Sequence, residues 1–185
     1  MNPAEDTRNL IDRFKGLDNE VVVAELDKSR TSIEIAIENL SHDFNIGTIV
    51  RNANAFNVSK VHIIGKRKYN RRGAMVTDKY LHIDHFESVE AFAEDAKARG
   101  KRIVAIENNR PESKPLQSTV AKENSILVFG SESDGITQDL LNLADGVFYI
   151  EQLGSTRSIN VGCASAVALY EFTRRLGYFD AKEDK

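Results

Sequence analysis

A chain of 185 residues, 41% hydrophobic and 29% charged, has the make-up of one soluble domain with a sizeable core. Its formal net charge of −3 excludes a uniformly basic nucleic-acid binder, so any grip on phosphate must come from one local basic face. The single cysteine, Cys163, excludes an internal disulfide and a cysteine-rich zinc site. No apolar run is long enough to cross a bilayer, and the amino end lacks the basic start and apolar stretch of a secretory signal, which points to the cytoplasm.

Residues 1–30 read as a charged, loosely helical extension, with Leu10, Ile11, Phe14 and Leu17 spaced near one helix face. Ile33, Ile35 and Ile37 alternate with polar residues, the pattern of a strand. A helix follows over Asn45–Phe56, then a short buried strand over Val61–Gly65. Ser88 can cap a helix running to Arg99, with Gly100 as its stop. Arg102–Ile106 and Ser125–Phe129 read as strands, Ile136–Ala144 as a helix and Val147–Ile150 as another strand. A long last helix runs from Asn160 to Leu176, ahead of Gly177. Asn108–Thr119 is the clearest loop. Strands alternating with helices predict an α/β fold, a mostly parallel sheet with helices on both faces, over residues 31–177; residues 178–185 read as a charged, frayed tail.

In such sheets ligands gather at the carboxyl ends of the strands. Three segments stand where strand and helix exchange: Asn45–Arg51, Phe129–Gly135 and Ile150–Val161. The glycine fingerprints of dinucleotide and P-loop sites are missing, and Gly130–Gly135 does not satisfy a nucleophile elbow. Asn45 can cap its helix or aim its amides at an anion. Arg51 reads equally as an ion-paired surface arginine, Glu132 as an exposed turn acid, and Ser158 and Asn160 as the cap of the last helix. Taken singly, none decides a function.

Taken in order they closely resemble the SpoU/TrmH class of the SPOUT RNA methyltransferases. N-x-G-x-x-x-R-x-x-x-A-F is met by Asn45, Gly47, Arg51, Ala55 and Phe56. An apolar run then F-G-x-E-x-x-G is met by Ile126–Gly130, Glu132 and Gly135. I-x-x-x-G-x-x-x-S-[LIM]-N-V, then an apolar helix ending in Y-E, is met by Ile150, Gly154, Ser158, Ile159, Asn160, Val161, Tyr170 and Glu171. Asn57 stands where the family often has glycine, Glu151 where it often has proline and Gly162 where it often has serine, which bears on cofactor affinity.

The resemblance implies methyl transfer from S-adenosylmethionine to a ribose 2′-hydroxyl of RNA, a carboxyl-terminal deep trefoil knot, and a homodimer paired through the knot. It assigns the chemistry to Arg51, with Asn45, Glu132, Ser158 and Asn160 shaping the site. It places the cofactor near Ile106, Gly130, Ile150, Leu153 and Ile159. Lys66, Arg67, Lys68, Arg71 and Arg72 form the densest basic stretch, with Tyr69 inside it; it reads as a grip that follows RNA phosphates and stacks a base, or as an ordinary solvated loop. Arg157, Arg174 and Arg175 are further phosphate candidates. The stretch from Ile136 to Asp145, and short ends in place of an added RNA-binding domain, look most like the tRNA enzymes that methylate a D-loop guanosine; ribosomal RNA and non-catalytic RNA binding are the alternatives. His82 and His85 around Asp84 do not read as a metal site, and no metal is expected. Cys163, in the apolar last helix, reads as a small buried hydrophobe.

Overall fold

The structure, a computed structural model, describes residues 5–40, 45–108 and 110–180. These form seven strands, β1 (Glu34–Asn39), β2 (Lys60–Gly65), β3 (Ile83–Phe86), β4 (Arg102–Ile106), β5 (Lys114–Pro115), β6 (Ser125–Phe129) and β7 (Gly146–Tyr149). Five α-helices accompany them: α1 (Asn19–Asp27), α2 (Asn45–Ala55), α3 (Val89–Ala98), α4 (Gln138–Asn142) and α5 (Val161–Arg175). The strands make one sheet in the order β3-β2-β1-β6-β4-β7-β5, and every pairing is parallel.

Strand periodicity divides the core into two layers. Ile35, Ile37, Val61, Ile63, Val104, Leu127 and Phe129 face α2 and α5, meeting Ile49, Val50, Leu169 and Phe172. Ala36, Ile64, Ile103, Ala105, Ile126 and Val128 face α3 and α4, meeting Phe92, Ala96, Leu140 and Leu141. Each large side chain fully buried in this way contributes about 1.5–3 kcal/mol. Both faces being covered explains a departure in β1. Its polar positions, which the alternation would place in water, are buried as well: Glu34 and Glu38 are 4% and 2% exposed. Burial alone would raise the Glu34 carboxyl. Hydrogen bonds from His62, Arg99 and Lys101 outweigh that and hold it well below the usual carboxylate range.

The helix stops are where the residue types put them. Ser88 Oγ accepts from Ala91 N at 3.2 Å, Asn160 Oδ1 from Cys163 N at 3.2 Å, and Gly100 and Gly177 take left-handed backbone after α3 and α5. The expected helix at Ile136–Ala144 shortens to α4, and the 108–119 loop contains β5 and a 3₁₀ turn over Leu116–Ser118.

The amino-terminal segment is less helical than its spacing suggests. Residues 12–14 make a 3₁₀ turn, and among the described residues of the segment only α1 is α-helical. A local polar staple wins there: buried Asp6 accepts from Arg8 Nε and Gly16 N, each at 2.8 Å, while Arg8 Nη2 donates to Leu17 O at 2.7 Å. Phe14, Val22 and Tyr80 still close a small apolar cluster with Leu10 and Leu17 at its edge. At the other end Tyr178 returns to the sheet, its hydroxyl 2.8 Å from both Ser32 N and Ser32 Oγ.

Candidate active site at the carboxyl ends of the strands

β6 ends at Phe129 and gives way to a loop that only glycine permits. A Cβ on Gly130 would stand 2.1 Å from the carbonyl carbon of Gly135, and Gly135 itself has φ of 68°. Backbone pairing of Ser131 with Gly135 closes the turn at 3.0 and 3.2 Å. Two acids from the strands flanking β6 then hold the chain as it leaves. Glu38 in β1 accepts from Thr137 N at 2.9 Å and from Thr137 Oγ1 at 2.6 Å. Glu107, just after β4, accepts from Ile136 N at 3.0 Å and from Asn108 N at 2.9 Å. Sequence reasoning missed both acids; the available signal was an acid at the carboxyl end of an otherwise apolar parallel strand.

This loop presents Glu132 to the other two motifs. Asn45 Nδ2, at the start of α2, donates to Glu132 Oε2. Asn160 Nδ2, at the cap of α5, donates to Asn45 Oδ1 at 2.8 Å and to Glu132 Oε1 at 3.0 Å. Three segments up to 115 residues apart thus meet in one triangle of side chains. Close helix approach brings them there. A Cβ on Gly162 would press Thr48 at 2.8 Å, and one on Gly47 would meet the backbone of Asn70 and Ala74 at 2.8 Å. Gly162, a departure from the family pattern, therefore serves α2–α5 packing. Asn57, another departure, takes the left-handed turn that its position requires, with φ of 47°. It lies by α1, where Nδ2 donates to Leu26 O at 3.2 Å, and not beside the Gly130–Gly135 loop.

Beside the triangle lies a cleft of about 290 Å³, at the lower end of the range for small-molecule sites. Ile106, Gly130, Ile150 and Ile159 line it, as do Glu132 and Ser158. Leu153, grouped with them from sequence, is fully exposed and stands outside it. Two further residues of the lining, Arg110 and Gln152, carry buried polar atoms, Nε and Oε1, that lack hydrogen-bond partners among the described residues. Apolar walls, a glycine cradle and an orphan donor and acceptor fit a ligand with a flat apolar part and charged ends. S-adenosylmethionine is such a molecule.

Arg51 lies on α2, six residues beyond Asn45; it does not line the cleft. It is exposed and its side chain makes no hydrogen bond or ion pair among the described residues. The basic stretch leaves the carboxyl end of β2, on the same edge of the sheet, with its base pinned by Asn39, whose Nδ2 donates to Lys66 O and Lys68 O. Lys66, Arg67, Lys68 and Arg72 are exposed, whereas Arg71 is paired with buried Asp78. Tyr69 is not a free stacking platform: its ring packs against the α2–α5 core layer, and burial pushes its hydroxyl pKa up.

Arg157 is exposed on the loop before α5, its carbonyl accepting from Asn108 Nδ2 at 3.0 Å. Arg174 and Arg175 turn to their own chain, to Glu171 at 3.0 Å and to Thr119 O at 2.6 Å. His82 bonds Asp27, His85 bonds Gly65 O, and Asp84 pairs with Lys60, so the three act separately. Cys163 is exposed and not buried as its apolar surroundings suggested. It shares one stripe of α5 with Val167, Tyr170 and Arg174, opposite the face carrying Leu169 and Phe172 into the core.

An all-parallel sheet covered on both faces, with a glycine loop, a polar triangle and a cleft at the carboxyl ends of β4, β6 and β7, is the frame in which α/β proteins hold small ligands. Residues 32–170 match the model of the SpoU rRNA Methylase family, and the chain belongs to that family. It is similar to the tRNA (guanosine(18)-2′-O)-methyltransferase of Escherichia coli K12, 26% identical over 155 residues that cover 81% of this chain and 66% of that enzyme. The enzyme of the same name from Thermus thermophilus is 28% identical over 155 residues, covering 81% and 78%. Among solved structures, the A. aeolicus TrmH/SpoU tRNA modifying enzyme has the same fold, with a TM-score of 0.75 at 24% identity over 88% of this chain and 85% of that one. An AdoMet-bound rRNA methyltransferase from Sinorhizobium meliloti shares it too, with a TM-score of 0.71 at 24% identity over 82% and 60%. This chain thus spans just under two thirds of the length of the E. coli enzyme.

Proposed function

We propose that this protein transfers a methyl group from S-adenosylmethionine to a ribose 2′-hydroxyl of RNA, with a D-loop guanosine of tRNA as the target. The observation that carries this reading is the triangle of Asn45, Glu132 and Asn160, which joins the three motifs beside the cleft. The names of the E. coli and T. thermophilus relatives support tRNA. When bound, S-adenosylmethionine supplies an electrophilic methyl group on a sulfonium sulfur. The chain's part is then to orient the ribose and to stabilise charge as its hydroxyl loses a proton. Arg51 is suited to that, as a fixed cation with two-pronged geometry. Asn45, Glu132, Ser158 and Asn160 keep the loops aligned, and Ile106, Gly130, Ile150 and Ile159 hold the cofactor, with Leu153 beyond the cleft edge. A cytoplasmic location accords with an RNA substrate. The deciding experiment is incubation of the purified protein and S-adenosylmethionine with unmodified tRNA and rRNA, then mapping of 2′-O-methyl sites by mass spectrometry. Methylation of rRNA alone would move the substrate. Cofactor binding absent by calorimetry would leave an RNA-binding protein without catalysis.

The reading includes the RNA grip. Lys66, Arg67, Lys68 and Arg72, with Arg157, face phosphates, and Arg71 contributes while braced on Asp78. Alanine at Arg67 and Arg72 should weaken RNA binding and lower the slope of log K against log salt by about two, with S-adenosylmethionine affinity unchanged. Equal losses for both ligands would make the loop structural.

It also includes assembly and topology. The exposed stripe of Cys163, Val167 and Tyr170 on α5, with the Phe179 ring tilted against Tyr170 at 5.4 Å between centroids, is an apolar face of the kind two copies bury together. A homodimer at micromolar concentration is the expected result by light scattering; a fully active monomer would refute it. The insertion of β7 between β4 and β5 accords with a carboxyl-terminal segment threaded as a trefoil knot.

A further inference from the structure

Two consecutive residues that are not glycine hold a backbone conformation that glycine favours. Met75 and Val76 have φ of 48° and 67°. For valine, branched at Cβ, this is a strained geometry, of the kind that persists only where its surroundings enforce it. Here they do. The pair links two 3₁₀ turns, Arg71–Ala74 and Thr77–Tyr80, which are anchored on either side. Ala74 and Thr77 are buried, and Thr77 Oγ1 donates to Ala74 O at 2.6 Å. Buried Asp78 pairs with Arg71, and Tyr80 sits in the amino-terminal apolar cluster. Yet Met75 and Val76 are each 52% exposed. Folding gains little from an apolar pair that strain holds in water.

The position of the pair explains what it can meet. Both 3₁₀ turns pack on α2. The first abuts Gly47 near the start of the helix. The second is tied to its far end through Arg30, which donates to Tyr80 O at 2.9 Å and Val58 O at 3.2 Å. The segment that bears Met75 and Val76 is thus laid along α2, the helix that carries exposed Arg51, and exposed Arg72 stands three residues before Met75. The basic stretch runs into this apolar tip along the chain, and Tyr69, the aromatic of that stretch, is committed to the core.

We propose that the Met75–Val76 tip packs against the face of an unstacked nucleobase of the RNA substrate, next to the nucleotide whose ribose meets Arg51. The arginines hold the backbone, while the tip supplies the apolar contact that every base face accepts. The contact rests on the functional reading above.

The test separates strain from binding. Asparagine tolerates left-handed backbone, so Val76→Asn should keep or raise the thermal midpoint. It should nevertheless weaken binding of unmodified tRNA about tenfold, as should Met75→Ala, with Val76→Ile restoring affinity. The salt slope should stay at the wild-type value, since no phosphate contact is lost, and S-adenosylmethionine affinity should not change. Wild-type RNA affinity in both Val76→Asn and Met75→Ala would overturn the contact while leaving the enzyme reading intact. So would a fall in dimerisation of Val76→Asn by light scattering, which would assign the tip to a second copy of the chain. A lowered midpoint with equal losses of both ligands would make the tip structural. A wild-type protein that neither binds nor methylates RNA would overturn the functional reading, and the contact with it.

Discussion

Replacing Gly130 with alanine is expected to lower S-adenosylmethionine affinity by at least ~10², about 2.8 kcal/mol. The reason is local and steric. The new methyl would lie 2.1 Å from the carbonyl carbon and oxygen of Gly135 and 2.4 Å from Ile136 N. These are backbone atoms, and they cannot rotate aside as a flexible side chain can. The loop must open, which breaks the Ser131–Gly135 pairing and carries Glu132 away from Asn45 and Asn160. Overpacking of this kind costs about 1–3 kcal/mol of stability, so the variant should fold but melt earlier. Gly154 is the control. A Cβ there meets nothing within 4 Å, and Gly154→Ala should leave the melting temperature unchanged. Calorimetric titration with S-adenosylmethionine reads the difference, and binding of Gly130→Ala within threefold of wild type would refute the loop as a cofactor cradle.

That glycine was legible in the sequence only because its motif was. The strands were readable from their own residues, since a sheet covered on both faces needs short apolar runs, and VHIIG, RIVAI and SILVF supply them. Alternation in β1 marked the strand but did not reveal that Glu34 and Glu38 enter the core with partners, three basic groups for one and Thr137 for the other. Those partners lie far along the chain, 99 residues in the case of Glu38 and Thr137, and no local pattern announces them. The helical spacing of Leu10 to Leu17 lost to the Asp6–Arg8–Gly16 staple for the same reason: a specific polar contact overrides an apolar period. In the site, side-chain chemistry alone left Asn45, Glu132 and Asn160 as a cap residue, a turn acid and another cap. Only their order along the chain joined them before the structure did. The exposure of Cys163 was beyond the sequence's reach, because which stripe of an apolar helix faces the core depends on the neighbour it packs against.

Arg51 is where two mechanisms diverge. A general base must give up a proton first, and for arginine, with a reference pKa of 12.5 or more, this costs on the order of 7 kcal/mol near neutrality. As a cation, by contrast, it needs no preparation and can stabilise the developing alkoxide or hold the adjacent phosphate. Arg51→Ala removes the group under either mechanism, and losing one oriented donor costs about 10²–10³ in rate, so it does not discriminate. Arg51→Lys does. Lysine keeps the charge, loses the fork and deprotonates near 10.4. If Arg51 acts as a cation, the lysine variant keeps part of the activity at neutral pH and loses it as the pH approaches that value. If it acts as a base, the variant gains rate over the same range. The measurement is single-turnover methyl transfer by Arg51→Lys from about pH 7 to about pH 10, with S-adenosylmethionine and RNA saturating. We expect a rate that falls at the alkaline end relative to wild type, and a rate climbing steadily beyond the wild-type rise would restore the arginine as the base.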